Sequence, residues 1–122
     1  MMRRLDRLEI STADLADAAA TYQRNFGFSV RKSPDGSSAT IAIGDAEIRL
    51  RSGPAVAQLI QASGEGMMAL YLEADDLDAV AAALRKAGVE PGAIRIEDNL
   101  RVLAIDPEIS SRVPLFIFDR KV

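Results

Sequence analysis

The sequence predicts an α+β fold built from two βαβββ modules, residues 1–52 and 67–122, joined by a linker at 53–66. Three observations predict it. Segments of period two and period 3.6 alternate in the same order in both halves of the chain. Asp14-Leu15 recurs as Asp76-Leu77, an offset of 62 residues, and Gly27 and Gly88 follow those aspartates by 13 and 12 residues. A single βαβββ unit covers only one face of its sheet, so two units in 122 residues are expected to pack together. An ordinary ferredoxin-like α+β domain with coincidental symmetry is the alternative.

The elements follow in order. Residues 4–10 alternate as a half-buried strand with Leu8 and Ile10 on one face. Ser11-Thr12 offers a helix N-cap, with Asp14 in the first turn, where the helix dipole favours an anion. Leu15, Ala18, Ala19, Tyr22 and Phe26 recur at helical spacing, and Gly27 supplies the stop. Phe28–Lys32 reads as a short strand and Ser33-Pro34-Asp35-Gly36 as a turn. Ala39–Ile43 and Ala46–Arg51 form a hairpin across Gly44-Asp45. In the linker, Val56, Leu59 and Ile60 are enough for a turn or two of helix.

The second module repeats the order. Met67–Ala74 is an apolar strand. Asp75-Asp76 caps a helix carrying Leu77, Val80, Ala81 and Leu84, which Gly88 ends. Ala93–Glu97, Leu100–Ile105 and Val113–Phe118 follow as strands, with Asp98-Asn99 as a hairpin turn.

Composition excludes several chemistries. The chain has no Cys and no His, so disulfides, thiolate zinc sites and imidazole bases or ligands are excluded. Net charge is −3 and the basic residues are scattered, which argues against nucleic acid as a partner. No apolar run approaches the roughly 20 residues that span a bilayer, and the charged start is no signal peptide. A cytoplasmic protein without membrane contact is expected. Ser11, Ser37 and Ser38 lack the neighbouring base that would mark a nucleophile.

Leu5-Asp6-Arg7-Leu8-Glu9-Ile10, Asp14-Leu15, Tyr22 and Phe26-Gly27-Phe28 resemble the opening of vicinal-oxygen-chelate domains, the glyoxalase/bleomycin-resistance/dioxygenase-like superfamily. Leu70–Ala79 resembles the start of that family's second module, and Asp106-Pro107 with Pro114-Leu115-Phe116 its last hairpin. The resemblance implies a cup-shaped mixed sheet and, in most members, a metal held by four side chains on four strands. Carried onto this chain, those positions are Arg7, Arg49, Ala69 and Phe116. Arg does not release its proton near neutral pH, and Ala and Phe have no donor atom. A slip of one position turns to the opposite face of the strand. No metal or other cofactor is therefore expected, and metal-dependent glyoxalase or dioxygenase activity is disfavoured.

Strand alternation places Leu5, Arg7 and Glu9, then Glu47, Arg49 and Arg51, on the face of the lost ligands in the first module. Ala69, Tyr71 and Glu73, with Pro114, Phe116 and Phe118, share it in the second. Arg7 and Arg49 are placed to grip a carboxylate or phosphate, with Arg51 on the same face, and Tyr71, Phe116 and Phe118 to hold an apolar body. The competing expectation is that these arginines pair with Glu9, Glu47 and Glu73 and fill the cup with salt bridges. Asp75, Asp76 and Asp78 read as capping residues, Tyr71 as packing with a polar tip, Arg101 and Arg112 as solvated, and Glu65 as a linker residue without a partner. Three functions stay open: a metal-free small-molecule-binding protein, a metal-independent lyase or isomerase with Glu9, Glu47, Glu73 or Tyr71 as acid or base, and a non-catalytic scaffold. A homodimer is what the resemblance implies.

Overall fold

The computed structural model describes residues 2–106, 108, 110 and 114–121. Among the described residues, eight strands and three helices make an α+β fold: β1 (Met2–Ser11), α1 (Leu15–Phe26), β2 (Val30–Lys32), β3 (Ser38–Ile43), β4 (Ala46–Arg51), α2 (Pro54–Ser63), β5 (Gly66–Ala74), α3 (Leu77–Lys86), β6 (Arg95–Glu97), β7 (Leu100–Ile105) and β8 (Leu115–Asp119). The expected βαβββ order thus occurs twice. The chain forms two compact units, Arg7–Met68 and Met1–Asp6 with Ala69–Val122.

In the Arg7–Met68 unit the strand order is β2-β3-β4-β1. β1 and β4 run parallel, and the β2–β3 and β3–β4 pairs are antiparallel. α1 covers one face, where Leu15 packs with Ala39, Ile41 and Leu50 and with the half-buried Ile10, Tyr22, Val30 and Ile48. The cap of α1 differs from expectation. Asp14 is the N-cap, its side chain accepting from the Asp17 amide, because Ser11 is still paired within β1. Gly27 ends the helix at φ 68°, a left-handed conformation that costs a glycine little. α2 spans ten residues rather than a turn or two, starting on Pro54, whose fixed φ suits a first helical position.

The second unit repeats this plan with the order β1-β5-β8-β7-β6, its β1 portion being residues 2–6. β5 and β8 are parallel, and the β7–β8 and β6–β7 pairs are antiparallel. α3 is capped by Asp76, which accepts from the Asp78 amide. Its Leu77 and Val80 pack with Ala74, Leu103, Ile105 and Ile117. Asp98 and Asn99 both take positive φ, 50° and 63°, as a two-residue hairpin turn requires. Phe28 and Ala93 lie outside the strands they were expected to start. Met1, Pro107, Ile109, Ser111, Arg112, Val113 and Val122 lie outside the described residues, so the expected solvation of Arg112 and the start of a strand at Val113 do too.

Among the described residues no helix is long and apolar enough to cross a membrane.

Candidate functional site

Register decides which side chains share the sheet face opposite α1 in the Arg7–Met68 unit. Arg7 pairs with Glu47, Glu9 with Arg49 and Ser11 with Arg51 across β1 and β4. Directly paired residues lie on the same side of a sheet. These five charged residues therefore form one patch, as their alternation in sequence predicts.

Glu9 is its centre. The residue is 3% exposed, yet both carboxylate oxygens are satisfied: Arg7 Nε donates to one at 2.6 Å and Arg51 Nη1 to the other at 3.1 Å. Arg49 gives Nε and Nη2 to Glu47 at 3.1 and 2.8 Å, and its Nη1 lies 4.0 Å from Glu9. A carboxylate this buried would cost several kcal/mol if left unpaired, so the guanidinium shell is what makes it tolerable. Three arginines against two glutamates leave the patch at +1. The Arg49 and Arg51 side chains remain 35% and 36% exposed, so part of each donor fork meets solvent.

The second unit holds the other residues of the expected face. Tyr71 pairs with Phe116 and Glu73 with Phe118 across β5 and β8. The Tyr71 and Phe116 rings stack with centroids 4.8 Å apart, and Phe118 is buried beneath the Arg120 guanidinium, 5.6 Å from its centroid. Ala69 is buried. Glu73 does not join the expected arginine set. Its carboxylate accepts from Arg4 Nε at 3.0 Å and Arg120 Nε at 3.3 Å, with Arg3 at 3.9 Å. These residues, with Asp75 and Lys121, line a cleft of about 490 Å³. Its cations are matched locally, since Arg4 also meets Asp6, Arg3 meets Asp75 and Lys121 meets Asp76. Arg3, Arg4 and Arg120 were not singled out as site residues in the sequence: two lie in the first residues of β1 and one just past the end of β8.

Two further expectations are corrected. Arg101 is not solvated: its side chain is 17% exposed, and it donates to Asp119 through Nε at 2.9 Å and Nη2 at 2.5 Å. The fully buried Asp119 also accepts from the Leu77 amide at 2.7 Å, so it anchors the start of α3. The Arg101 guanidinium holds the Asp119 carboxyl down at about pKa 2. Glu65 does have partners. It accepts from the Thr12 hydroxyl at 3.0 Å and the Ala13 amide at 2.7 Å, tying the strand before α1 to the segment after α2.

The four positions onto which the family resemblance carries the metal ligands do not bear residues that fit a metal. Arg7 and Arg49 bring positive guanidinium groups already bonded to carboxylates, and Ala69 and Phe116 bring no donor atom. Among the described residues no three Asp, Glu, His or Cys side chains gather as a metal-holding group.

Residues 4–100 match the family model of the Glyoxalase/Bleomycin resistance protein/Dioxygenase superfamily. No curated protein matches the chain by sequence. Similar solved structures include a methylmalonyl-CoA epimerase in complex with methylmalonyl-CoA and NH4+, with a TM-score of 0.74 at 21% identity over 100% of this chain and 97% of that one. A hypothetical protein from Bacillus halodurans C-125 gives 0.75 at 18% identity, covering 98% and 95% of the two chains. Methylmalonyl-CoA epimerase from Mycobacterium tuberculosis gives 0.71 at 24% identity, covering 97% and 88%. At these identities the likeness is one of fold.

Proposed function

The chain belongs to the Glyoxalase/Bleomycin resistance protein/Dioxygenase superfamily, and we propose that within it the protein is a metal-free binder of a small organic anion. Arg49 and Arg51, beside the buried Glu9, are the gripping residues. The observation that carries this reading is the charge imbalance around Glu9: three guanidinium groups share two carboxylates on one sheet face. Arg51 gives Glu9 one of the five N–H donors of its guanidinium, and Arg49 gives Glu47 two. The remaining donors are preorganised, because salt bridges already hold both side chains. A carboxylate or phosphate arriving there would neutralise the excess charge and accept charge-assisted hydrogen bonds. Metal-assisted chemistry is disfavoured because the corresponding positions carry Arg, Arg, Ala and Phe. One solved relative of the same fold holds methylmalonyl-CoA, itself an anionic thioester, which makes that compound a reasonable first probe.

Titration calorimetry with benzoate and with methylmalonyl-CoA, on protein analysed for metal content, tests the reading. Saturable binding that weakens with salt and falls at least tenfold, about 1.4 kcal/mol, in Arg49→Ala or Arg51→Ala supports it. Absence of binding by either probe, indifference to both substitutions, or a stoichiometric metal needed for binding overturns it.

A further inference from the structure

The arginine face does not end at β4. Arg31 on β2 pairs with Thr40 on β3, and Thr40 pairs with Arg49 on β4, which in turn pairs with Glu9 on β1. The four residues form one row across the sheet. Their neighbours in sequence confirm the side: Val30, Ile41, Ile48 and Ile10 turn to the α1 core instead. Arg31 is exposed and, among the described residues, has no ion-pair partner. Ser29, Val30, Arg31, Thr40 and Ala42 line a groove of about 200 Å³ along this edge. Counting the strands of this face, Arg7, Arg31, Arg49 and Arg51 stand against Glu9 and Glu47, a net charge of +2.

Resting on the reading that this face binds an anion, we infer that the ligand is a dianion whose second acidic group is held by Arg31 and the Thr40 hydroxyl. Strands lie about 4.8 Å apart, so the Cα atoms of Arg31 and Arg49 are about 10 Å apart, with the small Thr40 between them. Long arginine arms on either side of a threonine leave room for a ligand lying across the strands. One acidic group meets the Arg49 end and the other the Arg31 end. Guanidinium suits both, since it offers a planar pair of donors to each carboxylate. The class is a short dicarboxylate, or a carboxylate that also bears a phosphate.

Calorimetry with dicarboxylates from malonate to pimelate, each beside the monocarboxylate of equal length, tests this. The expected result is one preferred chain length, at which the dicarboxylate binds about tenfold more tightly than its monocarboxylate, the worth of one added charge-assisted contact. Arg31→Ala and Arg31→Gln erase that advantage, and Arg31→Lys restores part of it. If binding depends on Arg49 but dicarboxylates gain nothing, or Arg31→Ala keeps their advantage, the second contact point is refuted while the anion reading stands. If no carboxylate of either kind binds, both fall together.

Discussion

Replacing Asp119 tests how the second unit is held. Asp119 is fully buried and accepts four hydrogen bonds: two from Arg101, one from the Leu77 amide at 2.7 Å and one from the Lys121 amide at 3.1 Å. Removing one partner of a buried ion pair costs roughly 3–5 kcal/mol because the other charge is stranded. Here Arg101 keeps Asp76 at 3.3 Å and Asp78 at 3.2 Å, so Asp119→Ala belongs near the low end, about 3 kcal/mol. For a chain of this size that corresponds to a fall in Tm of about 10 °C, read by circular dichroism. The pH dependence is a second readout. The folded-state pKa of Asp119 is depressed to about 2, so its contribution is present in full above the ordinary Asp value. It is lost as pH falls from about 4 toward 2, and the gap between wild type and variant narrows over that window. A loss below about 1 kcal/mol at neutral pH would refute the assignment of Asp119 as the anchor of α3. So would a gap that stays constant down to pH 2.

Glu9→Gln removes the buried carboxylate charge that Arg7 and Arg51 both bond to, so the variant loses about 3 kcal/mol in urea unfolding and recovers part of it as salt is added. Glu65→Ala removes the acceptor of the Thr12 hydroxyl and the Ala13 amide, costing about 1–2 kcal/mol and speeding hydrogen exchange at Ala13 more than at the centre of β4.

Much of this protein was legible in one dimension. The order of elements follows from periodicity, helix stops at Gly27 and the cap at Asp76 from residue chemistry, and the Asp98-Asn99 turn from the side chains that tolerate positive φ. The parity of Arg7, Glu9, Glu47, Arg49 and Arg51 was legible as well, because successive residues of a strand point to opposite faces whatever the strand pairs with. Tyr71 and Phe116 were expected on one face, but that they lie level comes from the register of β5 and β8 in the folded chain.

Partnerships were not legible, since they depend on register and on which strands become neighbours. Nothing local to Glu73 says that Arg4 and Arg120, 69 and 47 residues away, will take its oxygens rather than Arg7, Arg49 or Arg51. Arg101 looked solvated because its own strand offers no carboxylate; the folded chain supplies Asp119 from β8 and Asp76 and Asp78 from the start of α3. Glu65 sits in a glycine-flanked stretch and gains its role only when the end of β1 comes within hydrogen-bonding reach. Arg31 joins the Arg49 row only through the register of two successive hairpins. Sequence alone determined the elements, their order and the side each residue faces, because those are properties of a short stretch of backbone. The tertiary structure decided which charges meet, because that requires bringing together residues that the chain itself holds far apart.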